Sequence, residues 1–114
     1  MSRFDVAGAP VVVLFGGNPH RRDEVVRFLG GKLGVTVVGT LSEEEGMATL
    51  EDMRERIGAV VIGGRYSEEQ RQRIRAHVAR SFPGVHVSEP GYAFPYDNSE
   101  LLRDVTAALA AREA

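Results

Sequence analysis

Two glycine-bearing stretches hold most of the residues in this chain whose types suit chemistry. Gly16-Gly17-Asn18-Pro19-His20-Arg21 closes one apolar run, and Gly63-Gly64-Arg65-Tyr66 closes another. Glycine lets a second group approach the backbone closely. A helix that opens just after it offers unpaired N–H groups and partial positive charge, which suit an anion. With Ser88 these stretches define a candidate ligand-binding set: Gly16, Gly17, Asn18, His20, Gly63, Gly64, Arg65, Tyr66 and Ser88. A structural explanation competes with this one, because tight turns after strands ask for positive φ and so for glycine. Neither stretch is a P-loop or a dinucleotide fingerprint. No lysine follows to reach a phosphate, and the second β-like run ends in Gly39-Thr40 rather than in an acidic residue for a ribose.

Other chemistries find less support. His20, His77 and His86 are the histidines, and none stands at metal-ligand spacing from another. No metal and no cofactor is expected. His20 alone lies near the glycine stretches, but a general base needs a positioned partner, and none is identifiable. Ser67 and Ser99 read as helix caps rather than nucleophiles. With no cysteine in the chain, disulfides, thiolate zinc sites and a cysteine nucleophile are excluded. No catalytic residue is assigned, and the balance leans away from an enzyme. The net charge of −2 supplies no basic field for nucleic acid or an anionic membrane, and no apolar run is long enough for a leader or a span. A cytoplasmic setting is the expectation.

The 114 residues imply one domain able to bury a core, with residues 1–9 as a loose arm. Val11-Val12-Val13-Leu14-Phe15 and Ala59-Val60-Val61-Ile62 are continuous apolar runs, the pattern of strands buried on both faces. Residues 35–38 and 85–88 alternate and read as edge strands. Asn18-Pro19 opens a helix whose stripe is Val25, Val26, Phe28 and Leu29, ended by Gly30-Gly31. Ser42 with Glu45, and Ser67 with Gln70, are capping-box patterns. The helices behind them carry Met47, Leu50, Met53 and Ile57, then Ile74, Val78 and Phe82. A last helix begins near Asn98 or Ser99.

Strands alternating with helices imply an α/β three-layer sandwich with parallel strands and right-handed crossovers. With the continuous runs central, the four-stranded sheet takes the order 2-1-3-4, a flavodoxin-like arrangement. The ligand edge is then where the first and third strands end. Residues 89–98 should cross that edge. Tyr92, Phe94 and Tyr96 are candidates for a lid or for partner contact. Acidic residues on the second helix and arginines on the third read as complementary neighbours, or else as a charged docking surface.

In this arrangement the chain resembles a response-regulator receiver domain over nearly its whole length. The resemblance is carried by Ser88-Glu89-Pro90, the aromatics after it, and Asn98-Ser99-Glu100-Leu101-Leu102. The family has a lysine-proline pair, an aromatic and a closing amphipathic helix there. The chemistry departs from the family. Gly16 and Gly17 stand where receivers hold magnesium with acidic residues, Gly63 and Gly64 where the phosphoacceptor aspartate belongs, and Glu89 at the lysine. An aspartyl phosphate and a hard-metal site both need a carboxylate. The resemblance therefore implies a degenerate receiver: a non-catalytic signalling or protein-interaction module that is not phosphorylated, with a protein partner or a homodimer. The alternative is a domain that binds a small anionic ligand, a phosphate or nucleotide, in the glycine-rich crevice.

Overall fold

The computed structural model describes residues 2–90 and 97–113. Its elements run β1 (Ser2–Phe4), β2 (Val11–Phe15), α1 (Pro19–Leu33), β3 (Thr36–Thr40), α2 (Glu43–Asp52), a single 3₁₀ turn (Arg54–Arg56), β4 (Ile57–Ile62), α3 (Glu68–Ser81), β5 (His86–Ser88) and α4 (Asn98–Glu113). The fold is α/β, with alternating strands and helices.

The sheet corrects the four-stranded expectation of order 2-1-3-4. It has five strands in the order β1-β3-β2-β4-β5. β2, β3, β4 and β5 pair in parallel, while β1 lies antiparallel on β3, so the sheet is mixed. Residues 2–4, read as part of a loose arm, are therefore a strand. β1 also changes the status of β3, which was expected at an edge and is instead buried along its whole length. Thr36 produced the edge-like alternation, and it and Thr40, at the two ends of the strand, are both satisfied inside the fold. The Thr36 hydroxyl donates to the Val6 carbonyl at 3.0 Å and accepts from the Val6 N–H at 2.8 Å, and the Thr40 hydroxyl donates to the Leu14 carbonyl at 2.9 Å.

Alternation of side chains along β2 and β4 splits the core between the two faces. Val11, Val13, Phe15, Val60 and Ile62 pack with Leu50, Ile74, Val78 and Phe82 on the α2–α3 face. Val12, Leu14, Ala59 and Val61 pack with Val25, Leu29, Leu101 and Val105 on the α1–α4 face.

Helix boundaries follow their caps. The Asn18 side chain accepts from the N–H groups of His20 and Arg21, with Pro19 in the first turn. Ser67 and Gln70 form a reciprocal capping box. At α2 the reciprocity is displaced: Ser42 Oγ accepts from the Glu45 N–H, but the Glu45 carboxylate accepts from the N–H of Leu41. α1 does not stop at Gly30-Gly31. It continues to Leu33 and ends at Gly34, left-handed at φ 65°. Gly30 instead makes room for β1, since a Cβ there would meet Phe4 Cδ1 at 2.3 Å. α2 is shorter than its apolar spacing implied, because it ends at Asp52 and Ile57 opens β4. Among the described residues no helix is long and apolar enough to cross a membrane.

Candidate functional site

β2 and β4 run side by side and end together, so the turns after them share one edge of the sheet. Between those turns is a crevice of about 120 Å³ floored by Leu14 and Val25. Of the nine residues expected at a ligand site, it brings together Gly16, Gly17, Asn18, Gly63, Gly64 and Arg65. His20, Tyr66 and Ser88 are not in its lining. His20 is exposed on the first turn of α1. Tyr66 is buried, and its hydroxyl donates to the Gly16 carbonyl at 3.0 Å while its ring stands edge-on to Phe15. Burial pushes that phenol up to about 12. Its polar atom is thus engaged in tying the start of α3 to the end of β2. Ser88 closes β5 with its Oγ buried and unpartnered, in a separate hollow between β5 and α4. Tyr92, Phe94 and Tyr96, the expected lid or contact residues, lie outside the described residues.

Turn geometry does not account for the glycines at this edge. Positive φ occurs among the described residues at Gly8, Gly34 and Gly84, and not at Gly16, Gly17, Gly63 or Gly64. Close packing accounts for three of them. A Cβ at Gly17 would lie 2.9 Å from Arg65 Cβ, one at Gly16 3.3 Å from Arg22 Cβ, and one at Gly63 3.1 Å from the Phe15 carbonyl oxygen.

Two residues at this edge escaped the sequence reading. Arg22 runs from α1 across Gly39 and Gly16, where a Cβ on Gly39 would meet its Cγ at 2.7 Å. Its side chain is only 12% exposed and lines the crevice. Nε donates to Asp23 at 3.0 Å, and that bond holds the Asp23 carboxyl below the usual range. Two consecutive arginines early in a helix read as surface charge. The signal that Arg22 turns inward was Gly39, a glycine inside a strand, which marks a close approach.

Arg71 is the second. It is 1% exposed, the largest fully buried side chain of the described residues. Its guanidinium donates to the Gly63 carbonyl at 2.6 Å, the Tyr66 carbonyl at 3.2 Å and the Glu89 carboxylate at 2.9 Å. Arg75 grips the same carboxylate through both oxygens, at 2.8 and 2.9 Å, and reaches Glu68 at 2.6 Å. Glu89, read as a departure from the receiver lysine, is thus the acceptor at the centre of a network joining the end of β4, the start of α3 and the residue after β5.

The charged faces of α2 and α3 meet as complementary neighbours. Arg73 makes two bonds to Glu43, at 2.7 and 2.8 Å, and holds that carboxyl below the usual range. His77 Nε2 lies 3.1 Å from Glu51, which also accepts from Arg54. No group of His, Asp and Glu side chains arranged to hold a metal ion occurs among the described residues. No protein-family model, curated protein or solved structure matches this chain.

Proposed function

We propose that this chain is a receiver-like module that works in the cytoplasm through contacts with a protein partner or a second copy, and is not phosphorylated. The observation that carries the reading is the environment of Glu89. In a receiver, the lysine before the proline meets a phosphoryl group on the aspartate that ends the central strand. Here that position is a carboxylate held by Arg71 and Arg75, and Arg71 also holds the carbonyl of Gly63, at the aspartate position. The residues at the two positions a phosphoryl switch would use are both held by Arg71 within the fold, and Gly63 has no side chain to phosphorylate.

The test is incubation with acetyl phosphate and Mg²⁺, followed by intact-mass measurement. The mass is expected to stay unchanged, and a gain of one phosphoryl group overturns the reading. Self-association is tested separately by sedimentation velocity across a wide concentration range. A shift toward dimer with concentration supports it. A monomer at every concentration removes the second copy and leaves a different protein as the partner.

A further inference from the structure

The crevice between the ends of β2 and β4 has a chemistry of its own, independent of the reading above. It is not a helix-terminus site. Pro19 has no N–H, and the N–H groups of His20 and Arg21 are already taken by the Asn18 side chain at 2.9 and 3.1 Å. What remains open comes from elsewhere. The two terminal guanidinium nitrogens of Arg22 make no hydrogen bond to any described residue, although the side chain is almost nine-tenths buried. Arg65 makes no ion pair or hydrogen bond among the described residues. The peptide N–H groups of Gly17 and Gly64 likewise find no acceptor there. Among the described residues no carboxylate lines the crevice.

Neither terminal nitrogen is among the buried atoms left without a partner, so both stay open to an incoming anion while the packed stem holds them in place. Arginine forks pair best with planar or tetrahedral oxyanions, two bonds at a time. At about 120 Å³ the space is several times one water's share of roughly 30 Å³ and well below the ~300 Å³ at which drug-sized pockets begin. We propose that this crevice binds a phosphoryl-type oxyanion, held between Arg22 and Arg65 over the two glycine turns, either as free phosphate or as the terminus of a small polar monoester. A second hollow of about 290 Å³ shares Gly17 and Arg65 with the crevice and is lined by Ser42, Glu43 and Gln70. It is polar and has room for the hydroxylated remainder of such an ester.

Calorimetric titration of the chain with inorganic phosphate and with glycerol phosphate, at matched ionic strength, tests the assignment. Saturable binding is expected, with the amide resonances of Gly17 and Gly64 shifting in a parallel NMR titration. Arg65→Ala should weaken binding roughly tenfold or more and leave the melting temperature of the free protein unchanged, because the lost bonds are charge-assisted and the residue is exposed. Arg22→Met keeps the packed stem and should do the same. If Arg22→Met does not fold, Arg65→Ala carries the test alone. Tighter binding of glycerol phosphate identifies a monoester that uses the second hollow, and equal binding identifies the free oxyanion. The assignment is overturned if neither probe binds below about 10 mM, or if Arg65→Ala binds as the wild type does.

Discussion

Tyr66 and Glu89 each do one job through one polar group, and each can be tested there. The Tyr66 phenol is raised to about 12 by burial, against an ordinary value of 10.0. Its folded pKa lies above its unfolded one, so its contribution is fully present below pH 10 and is lost as pH rises through 12. The two-unit difference corresponds to roughly 3 kcal/mol. Wild type should therefore lose stability across that alkaline window, and Tyr66→Phe should lose that much less. The variant should also be less stable at neutral pH by about 1 kcal/mol, because the hydroxyl no longer meets the Gly16 carbonyl. Denaturant unfolding at a series of pH values measures both. Equal alkaline losses would show that another group controls the window. For Glu89, Glu89→Ala leaves Arg71 buried with one partner fewer, at a cost of about 3 kcal/mol. The melting temperature should fall by roughly 10 °C or more. Joining Arg71→Met to it should recover part of that loss, since the stranded charge is gone. A double variant no better than Glu89→Ala means that the bonds from Arg71 to the two carbonyls matter more than the ion pair. Neither Arg22 nor Arg71 was legible as an inward residue, because an arginine on a helix has the same periodicity whether it reaches water or a buried carbonyl. The meeting of Gly16, Gly17, Asn18, Gly63, Gly64 and Arg65 at one edge of the sheet was legible, because glycines after apolar runs mark the end of a parallel strand.

Helices and strands meet here through notches as much as through caps. Gly30 receives Phe4, and Gly46 receives Phe15, whose Cε2 would be 2.0 Å from a Cβ there. A reading by local propensity treats a glycine near the end of a helical pattern as its stop, and that is why α1 was ended early. The packing partner lies 26 positions away at Phe4, beyond any local window. Gly30→Ala should push Phe4 out and free β1, while β2, β3 and β4 keep their pairing. Amide exchange should quicken in β1 and along the side of β3 that faces it, with the central strands still protected. Phe4→Ala should restore tolerance of Gly30→Ala, because the smaller side chain vacates the notch. Uniform loss of protection in Gly30→Ala would mean that β1 is integral to global stability. Elements governed by side-chain caps behaved differently. Asn18, Ser42 and Ser67 stand at the helix starts their types announced, because capping acts within three residues.

For the molecule as a whole, the unbroken apolar runs at 11–15 and 59–62 already implied a sheet covered on both faces, which the two core clusters supply. The added antiparallel strand was not legible, because Ser-Arg-Phe is too short and too polar to stand out. β1 closes what would be an open edge along β3, a five-residue strand of Thr, Val and Gly. An open edge of that kind invites pairing with another chain. Phe4 pairs opposite Val37, 33 positions later in the sequence. A ribosome adding about 5–20 residues per second makes that partner some 2–7 s after Phe4. β1 is made before its only neighbour in the sheet, and therefore waits for α1 and β3 before it has anywhere to dock.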